Sequence, residues 1–425
     1  MFLYRLTIFL LFPVLVTIIF FRKLVKKEHA TRYKEKFSKS HFNIQRKKNT
    51  RLLWFHAASV GEVRSIYPIV NELNKNYKNL EFLVTTVTLS SSKLVENEFR
   101  IFKNLQHRFL PLDVGFLIKN FLKLWKPSNI FLIDSEIWPN LIYNARILKI
   151  PVTLLNARIT QKTFKRWNKI PKLANQIFGS LNMCLSSNLE TKNFLLKLKA
   201  KNVLHTGNIK LASPINFKKI DKDNEKKLRS KEIWCAISTH EGEENICLNV
   251  HKIIKKKTEI VTLIAPRHID RSQKIRRLCE KLNLKSQIVS QNEQISENVE
   301  IIIINSFGVL PSYLKHARSV FVGKSLIEKL QNDSGQSPIE AAKSGCKIYH
   351  GPFISNFKDI YDILEHHGIS TKIMNTKELA DNLIKDFALI GRSSNKHISL
   401  MNVLEKKTLN DTMKNLNILL KNENI

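Results

Sequence analysis

Trp54-Phe55-His56-Ala57-Ala58-Ser59-Val60-Gly61-Glu62-Val63 changes its apolar period half-way along. Leu52 to Phe55 is an apolar run of strand length, the small residues after it allow a tight turn, and Val63 to Leu73 spaces its apolar residues as a helix does. The stretch reads as a strand-turn-helix corner. In an open parallel sheet, ligands collect outside the carboxyl ends of the strands, and here that edge carries an acid, Glu62. Two readings of the acid stand side by side. Ser59 and Glu62 fit the Ser-x-x-Glu capping box, in which the serine accepts from the third helical amide and the glutamate bonds back to the cap. Gly61 points to a site instead, because a glycine in the first helical turn costs about 1 kcal/mol against alanine, a loss easier to understand where something approaches the backbone closely.

Outward from this corner, short apolar runs alternate with helical patterns, the mark of parallel α/β units. Strands are expected at Leu52–Phe55, Phe82–Val87, Ile130–Ile133, Val152–Leu155 and Met183–Leu185, and in a second series at Ile233–Ile237, Val261–Ala265, Ile301–Ile304, Ser319–Val322 and Lys347–Tyr349. Residues 212–231 between the series have the composition of a linker followed by a solvated helix. The fold class is α/β, with two doubly wound domains at 40–213 and 214–400. A C-terminal helix over 401–425 is placed to pack back on the first domain. No repeat of 20 to 50 residues stands out, which argues against a solenoid.

A chain of 425 residues with 43% hydrophobic content can bury two cores. Its 70 Lys and Arg against 36 Asp and Glu give a formal charge of +34 and favour anionic partners. The lysines are spread along the chain without an aromatic-and-arginine module, so nucleic acid is not expected as a partner. Residues 6–21 carry no charge and are followed by Arg22, Lys23, Lys26 and Lys27, so residues 1–25 read as a membrane anchor. Its basic flank would stay in the cytoplasm against anionic lipid, and everything after residue 40 would then be cytoplasmic. Cys184, Cys235, Cys247, Cys279 and Cys346 are odd in number and widely spaced, as reduced buried thiols would be. No zinc or iron spacing appears among the histidines, and no bound metal is expected.

Polar clusters recur just after the strands. In the first half these are Asp134-Ser135-Glu136-Ile137-Trp138-Pro139-Asn140, Asn156-Ala157-Arg158 and Thr206-Gly207-Asn208-Ile209-Lys210. The acids of the first cluster would open toward the same edge as Glu62, although Glu136 and Trp138 read equally as a helix-start acid and a packing anchor. In the second half, Ser238 to Glu244 again offers a capping box, which accounts for Glu241. Arg267, in Pro266-Arg267-His268, is suited to a phosphate. Asn305-Ser306-Phe307-Gly308 repeats the small turn. In Ser334 to Ala342, Ser337 suits a helix cap, Pro338 the first position and Glu340 the third, so Glu340 reads either as a capping acid or as an acceptor for ribose hydroxyls.

Taken together, Ala-Ser-Val-Gly-Glu (58–62), Ser-Glu-Ile-Trp-Pro-Asn (135–140), Asn-Ala-Arg (156–158), Thr-Gly-Asn-Ile-Lys (206–210), Ser-Thr-His-Glu-Gly-Glu-Glu (238–244), Pro-Arg-His (266–268) and Gly-Pro-x-x-x-Asn-Phe-Lys-Asp (351–359) resemble the 3-deoxy-D-manno-octulosonic acid (Kdo) transferases of lipopolysaccharide synthesis. The resemblance runs in order from the anchor to about residue 360. It implies a GT-B glycosyltransferase of two Rossmann-like domains facing across a cleft, with no cofactor and with CMP-Kdo as donor substrate. The acceptor it implies is the tetraacylated, bisphosphorylated glucosamine disaccharide precursor of lipid A. Glu62 would be the general base of an inverting displacement, assisted by Glu136 and Lys210. CMP would be touched by Pro266, Arg267, His268, Phe307, Gly308 and Val309 and by the helix start Ser337, Pro338, Ile339 and Glu340.

The chain departs from the family pattern at Gly323-Lys324, where a Gly-Gly pair is usual, and at Ser334 to Glu340, where Gly-Gly-His-Asn-Pro-Leu-Glu is usual. Lys329 to Asp333 is longer than usual, and Val309 replaces an acid. Two rival readings remain. A GT-B transferase using a different nucleotide sugar would share the fold, and a non-catalytic protein of anionic membrane surfaces would share the anchor and the charge.

Overall fold

A computed structural model describes residues 1–38, 44–215, 217, 220–291, 293–306, 308–331, 334–389 and 394–421. The chain forms two compact units, one of residues 1–214 with 405–425 and one of residues 215–404.

In the first unit seven strands form one sheet: β1 (Arg51–His56), β2 (Leu80–Thr86), β3 (Leu105–Phe109), β4 (Asn129–Ile133), β5 (Val152–Ala157), β6 (Met183–Ser186) and β7 (Val203–His205). Their order is β3-β2-β1-β4-β5-β6-β7, and every pairing is parallel. Side chains alternate between two buried faces, as a sheet covered on both sides requires. Leu52 and Trp54 join Phe121 and Trp125 on one face, and Leu53 and Phe55 join Val63, Ile66, Met413 and Leu416 on the other. Helix Ser394–Lys421 supplies the last two contacts, and Leu420 O accepts from Arg51 Nη1 at 3.0 Å. Strand order reverses between β1 and β4, so the crevice of this sheet lies at their carboxyl ends, after His56 and Ile133.

The second unit repeats the plan with β8 (Ile233–Thr239), β9 (Val261–Pro266), β10 (Ser286–Val289), β11 (Ile301–Ile304), β12 (Ser319–Val322), β13 (Lys347–His350) and β14 (Ser370–Lys372). The order β10-β11-β9-β8-β12-β13-β14 puts its reversal between β8 and β12. All ten expected strands are present. Four were not expected, β3, β7, β10 and β14, and these are the two edges of each sheet.

The apolar N-terminus is a bent pair rather than one span. Helices Phe2–Leu10 and Phe12–Leu24 meet at 50°, and among the described residues no single helix is long and apolar enough to cross a membrane. Pro13, in the first turn of the second helix, explains the break, because proline lacks the N–H that would carry the first helix onward. The pair is fastened to the first unit. Tyr4 donates to Asp113 Oδ2 at 2.9 Å, the Arg5 guanidinium lies 4.8 Å from the Tyr143 ring centre, and Phe12 meets Phe116 edge-on at 5.4 Å.

Candidate active site

The reversal point of the first sheet gathers three carboxylates. Helix Val60–Asn76 follows β1 with Ser59 as its cap. Ser59 Oγ accepts from the Glu62 amide at 3.3 Å and donates to Glu62 Oε1 at 2.7 Å. Glu62 Oε2 accepts from the Ala58 amide at 2.8 Å. The cap therefore exists, and it also fixes the carboxyl at the mouth of the turn. Burial pushes the Glu62 proton affinity above the ordinary carboxylate range, and the nearby charges of Asp134 and Glu136 push the same way against the Ser59 and Ala58 hydrogen bonds. A Cβ added to Gly61 would meet nothing within 4 Å, so packing does not require a glycine there.

Asp134 and Glu136 leave the end of β4. Asp134 adopts φ +56° and is 8% exposed. Its carboxylate accepts from Lys210 Nζ and, at 2.5 Å, from Asn156 Nδ2. Asn156 Oδ1 in turn accepts from the Ile209 amide at 2.9 Å, and Asn208 Oδ1 from the Lys210 amide at 3.1 Å. The Asn-Ala-Arg and Gly-Asn-Ile-Lys clusters thus form one brace that presents Lys210 beside Asp134. Glu136 Oε2 lies 3.2 Å from His56 Nε2 and accepts from Trp138 Nε1 at 2.9 Å. Glu62, Glu136 and Lys210 are therefore brought to one corner. Sequence reasoning missed the partners that join them, Asp134 for Lys210 and His56 for Glu136, although both residues stand at strand ends.

The second unit uses its reversal point differently. Helix Glu243–Ile254 follows β8 with Gly242 as cap and no side-chain cap bond, and the Glu241 side chain is 81% exposed, so the expected Ser238–Glu241 capping box does not form. Glu243 takes the inward place. Its carboxylate accepts from the amides of His240 (3.0 Å), Lys324 (2.7 Å), Ser325 (2.9 Å) and Leu326 (3.3 Å), stitching the turn after β8 to the turn after β12. Gly323 makes that approach possible, since a Cβ there would lie 2.7 Å from Glu243 Oε2, Ser238 O and Thr239 Cα. Glu244 binds Arg271 through both oxygens, at 3.2 and 3.1 Å.

Arg267 and His268 follow β9 and are exposed, and the His268 ring stands 6.0 Å from that of His240. Burial lowers the proton affinity of His240, and the charges of Lys324, His268 and Arg267 add to the effect. Lys324 adopts φ +55°, a conformation natural to glycine. Of the other expected donor contacts, Gly308 is exposed with φ +75°, while Pro266, Val309, Pro338 and Ile339 are buried, and Phe307 lies outside the described residues. The helix near Glu340 begins later than expected. It runs Ile339–Lys343 with Pro338 as cap, and Ser337 Oγ accepts from the Ile339 amide at 3.4 Å, which makes Glu340 the second helical residue. The 351–359 motif supports this region from behind: the Gly351 amide donates to Ser325 Oγ at 2.9 Å and the Asn356 amide to Ser334 O at 2.9 Å. Among the described residues no three His, Cys, Asp or Glu side chains converge as a metal site would require.

The probable mitochondrial 3-deoxy-D-manno-octulosonic acid transferase of Arabidopsis thaliana is 30% identical over 403 residues, 90% of this chain and 88% of that protein. The chain belongs to the 3-deoxy-D-manno-octulosonic acid transferase family. A member from Rickettsia bellii is 32% identical over 362 residues, 84% of each chain. The family model described as 3-Deoxy-D-manno-octulosonic-acid transferase (kdotransferase) matches residues 31–213, the part that holds Glu62, Asp134, Glu136 and Lys210. Among solved structures, the fold is shared with a putative UDP-N-acetylglucosamine 2-epimerase of Listeria monocytogenes. The TM-score is 0.63 at 13% identity, over 88% of this chain and 97% of the other. Family membership makes the protein an enzyme of Kdo transfer.

Proposed function

We propose that this GT-B enzyme takes Kdo from CMP-Kdo and attaches it, with inversion, to the tetraacylated, bisphosphorylated glucosamine disaccharide that precedes lipid A. One observation carries the reading. Glu62 is a buried carboxyl with raised proton affinity at a strand-end crevice, the condition of a general base for a sugar hydroxyl. Glu62 removes the proton from the acceptor hydroxyl as its oxygen attacks the anomeric carbon, and CMP leaves with the bonding pair. Lys210 and Glu136 flank that step and orient the sugars. The Arg267 guanidinium carries the charge suited to the CMP phosphate, the rings of His268 and His240 stand beside it, and Glu340 is a ribose acceptor.

The acylated acceptor fits a protein held at the inner membrane with its catalytic units on the cytoplasmic side. Phe2, Leu10 and Phe21 are more than half exposed on the bent N-terminal pair, beside Lys23, Lys26 and Lys27. That composition suits an apolar face laid into anionic lipid. Deleting residues 1–25 should move the protein to the soluble fraction and leave transfer to detergent-dispersed acceptor intact.

Incubation with CMP-Kdo and the tetraacylated precursor should release CMP and increase the acceptor mass by Kdo. Turnover of UDP-sugars instead, or lipid binding without CMP release, would overturn the reading. Arg267→Ala should raise the KM for CMP-Kdo far more than that for acceptor, since a charge-assisted bond to phosphate is worth about 1.5 to 3 kcal/mol. Equal effects on both substrates would remove Arg267 from the donor site.

A further inference from the structure

His56 ends β1, is fully buried, and lies beneath the acid cluster without facing solvent. Its Nδ1 is 2.9 Å from Thr85 Oγ1 and 3.1 Å from Thr85 O, and its Nε2 is 3.2 Å from Glu136 Oε2. The buried indole of Trp54, which can only donate, gives its N–H to Thr85 Oγ1 at 2.8 Å. The Thr85 carbonyl already accepts from the Ala57 amide at 3.0 Å. The hydroxyl proton of Thr85 then has an acceptor at hand in His56 Nδ1. That bond leaves the ring proton on Nε2, aimed at Glu136. The other tautomer would point a ring lone pair at a carboxylate and leave the threonine proton without this acceptor.

We propose that Trp54, Thr85 and His56 form a positioning relay for Glu136. The relay presets the Nε2–H tautomer, so that His56 and Trp138 both donate to Oε2. The carboxylate is thereby held in one orientation. Its Oε1 makes no hydrogen bond among the described residues and is left for the sugar. No bond is made or broken in the relay itself. The inference rests on the proposed role of Glu136 in transfer, but the tautomer can be read without any substrate.

The test uses full-length protein with 15N-labelled histidine, the His56 signals being assigned by their loss in His56→Gln. In the unsubstituted protein Nε2 should carry the proton and Nδ1 should be the bare nitrogen. Thr85→Val should weaken that preference and lower kcat about tenfold, the scale of one hydrogen bond to a charged group, with KM for CMP-Kdo changed less than about twofold. His56→Gln, whose amide N–H reaches the place of Nε2, should keep most of kcat, whereas His56→Phe should lose as much as Thr85→Val. Equal melting temperatures establish that the comparison is of folded proteins, and if Thr85→Val unfolds, the Gln and Phe pair decides. A proton on Nδ1 in the unsubstituted protein, or equal kcat in His56→Gln and His56→Phe, would overturn the relay. The Nε2–H tautomer in a protein that transfers no Kdo would overturn the proposed function instead.

Discussion

Glu62 and Glu243 occupy corresponding places in the two units. Each follows the first strand of its sheet, near the start of the next helix, at the point where strand order reverses. In both, burial raises the carboxyl's proton affinity above its ordinary range. Their partners differ. Glu243 is wholly buried and accepts four amide hydrogen bonds from two turns, which use up its lone pairs on the backbone. Glu62 accepts one amide and one hydroxyl, is 9% exposed, and has two further acids near it. The same acid at the same corner thus becomes a fastener when amides converge on it. It becomes a candidate base when other carboxylates do.

The largest expected effect separates the two outright. Glu62→Gln keeps the shape and much of the cap but cannot take a proton, so turnover should fall by about 100-fold or more with folding intact. Glu243→Gln turns an amide toward amides and should cost about 2 to 3 kcal/mol of stability, through weakened charge-assisted bonds and a donor left unpaired. Its turnover per folded molecule should stay closer to that of the unsubstituted protein. Turnover near normal in Glu62→Gln, measured beside the melting temperature of both variants, would break the comparison at its main point.

A smaller effect is expected from pH. A carboxyl whose folded proton affinity is raised contributes stability below its unfolded pKa, near 4.5, and that contribution is lost as pH rises through the folded value. Glu62→Gln lacks this titration. Its stability relative to the unsubstituted protein should therefore grow as pH rises above the ordinary carboxylate range and level off once Glu62 is ionised. Urea midpoints at a series of pH values would measure it. A difference that stays flat with pH would mean that Glu62 is not held in a raised state.

The inner strands were legible because each is buried on both faces and carries a run of apolar residues, as Ile301–Ile304 does. The edges were not. Leu-Gln-His-Arg-Phe of β3, Val-Leu-His of β7, Ser-Gln-Ile-Val of β10 and Ser-Thr-Lys of β14 have one neighbouring strand each and need no continuous apolar run. The site divided in the same way. Glu62, Glu136 and Lys210 stand in local motifs, whereas the bonds that join them run His56 to Glu136 and Lys210 to Asp134 over 80 and 76 positions. Glu243 was overlooked because Ser238 and Glu241 offered a nearer, well-spaced cap. The turn spends its residues otherwise, with Ser238 at φ +53° and Gly242 at φ +97°.

The smallest expected effect bears on why the first corner stays open. Gly323 beside Glu243 is required by packing, since its missing Cβ would lie 2.7 Å from two backbone atoms. Gly61 beside Glu62 has no such reason, because its Cβ would meet nothing within 4 Å and its φ is not in the left-handed region. Gly61→Ala should therefore stabilise helix Val60–Asn76 by up to about 1 kcal/mol through helix propensity alone. If the open space is the path by which the acceptor hydroxyl reaches Glu62, the same methyl should raise the KM for acceptor while leaving that for CMP-Kdo in place. A higher melting temperature with both KM values unchanged would show that the glycine serves neither packing nor substrate. The openness of this corner would then have to be sought in the carboxylates alone.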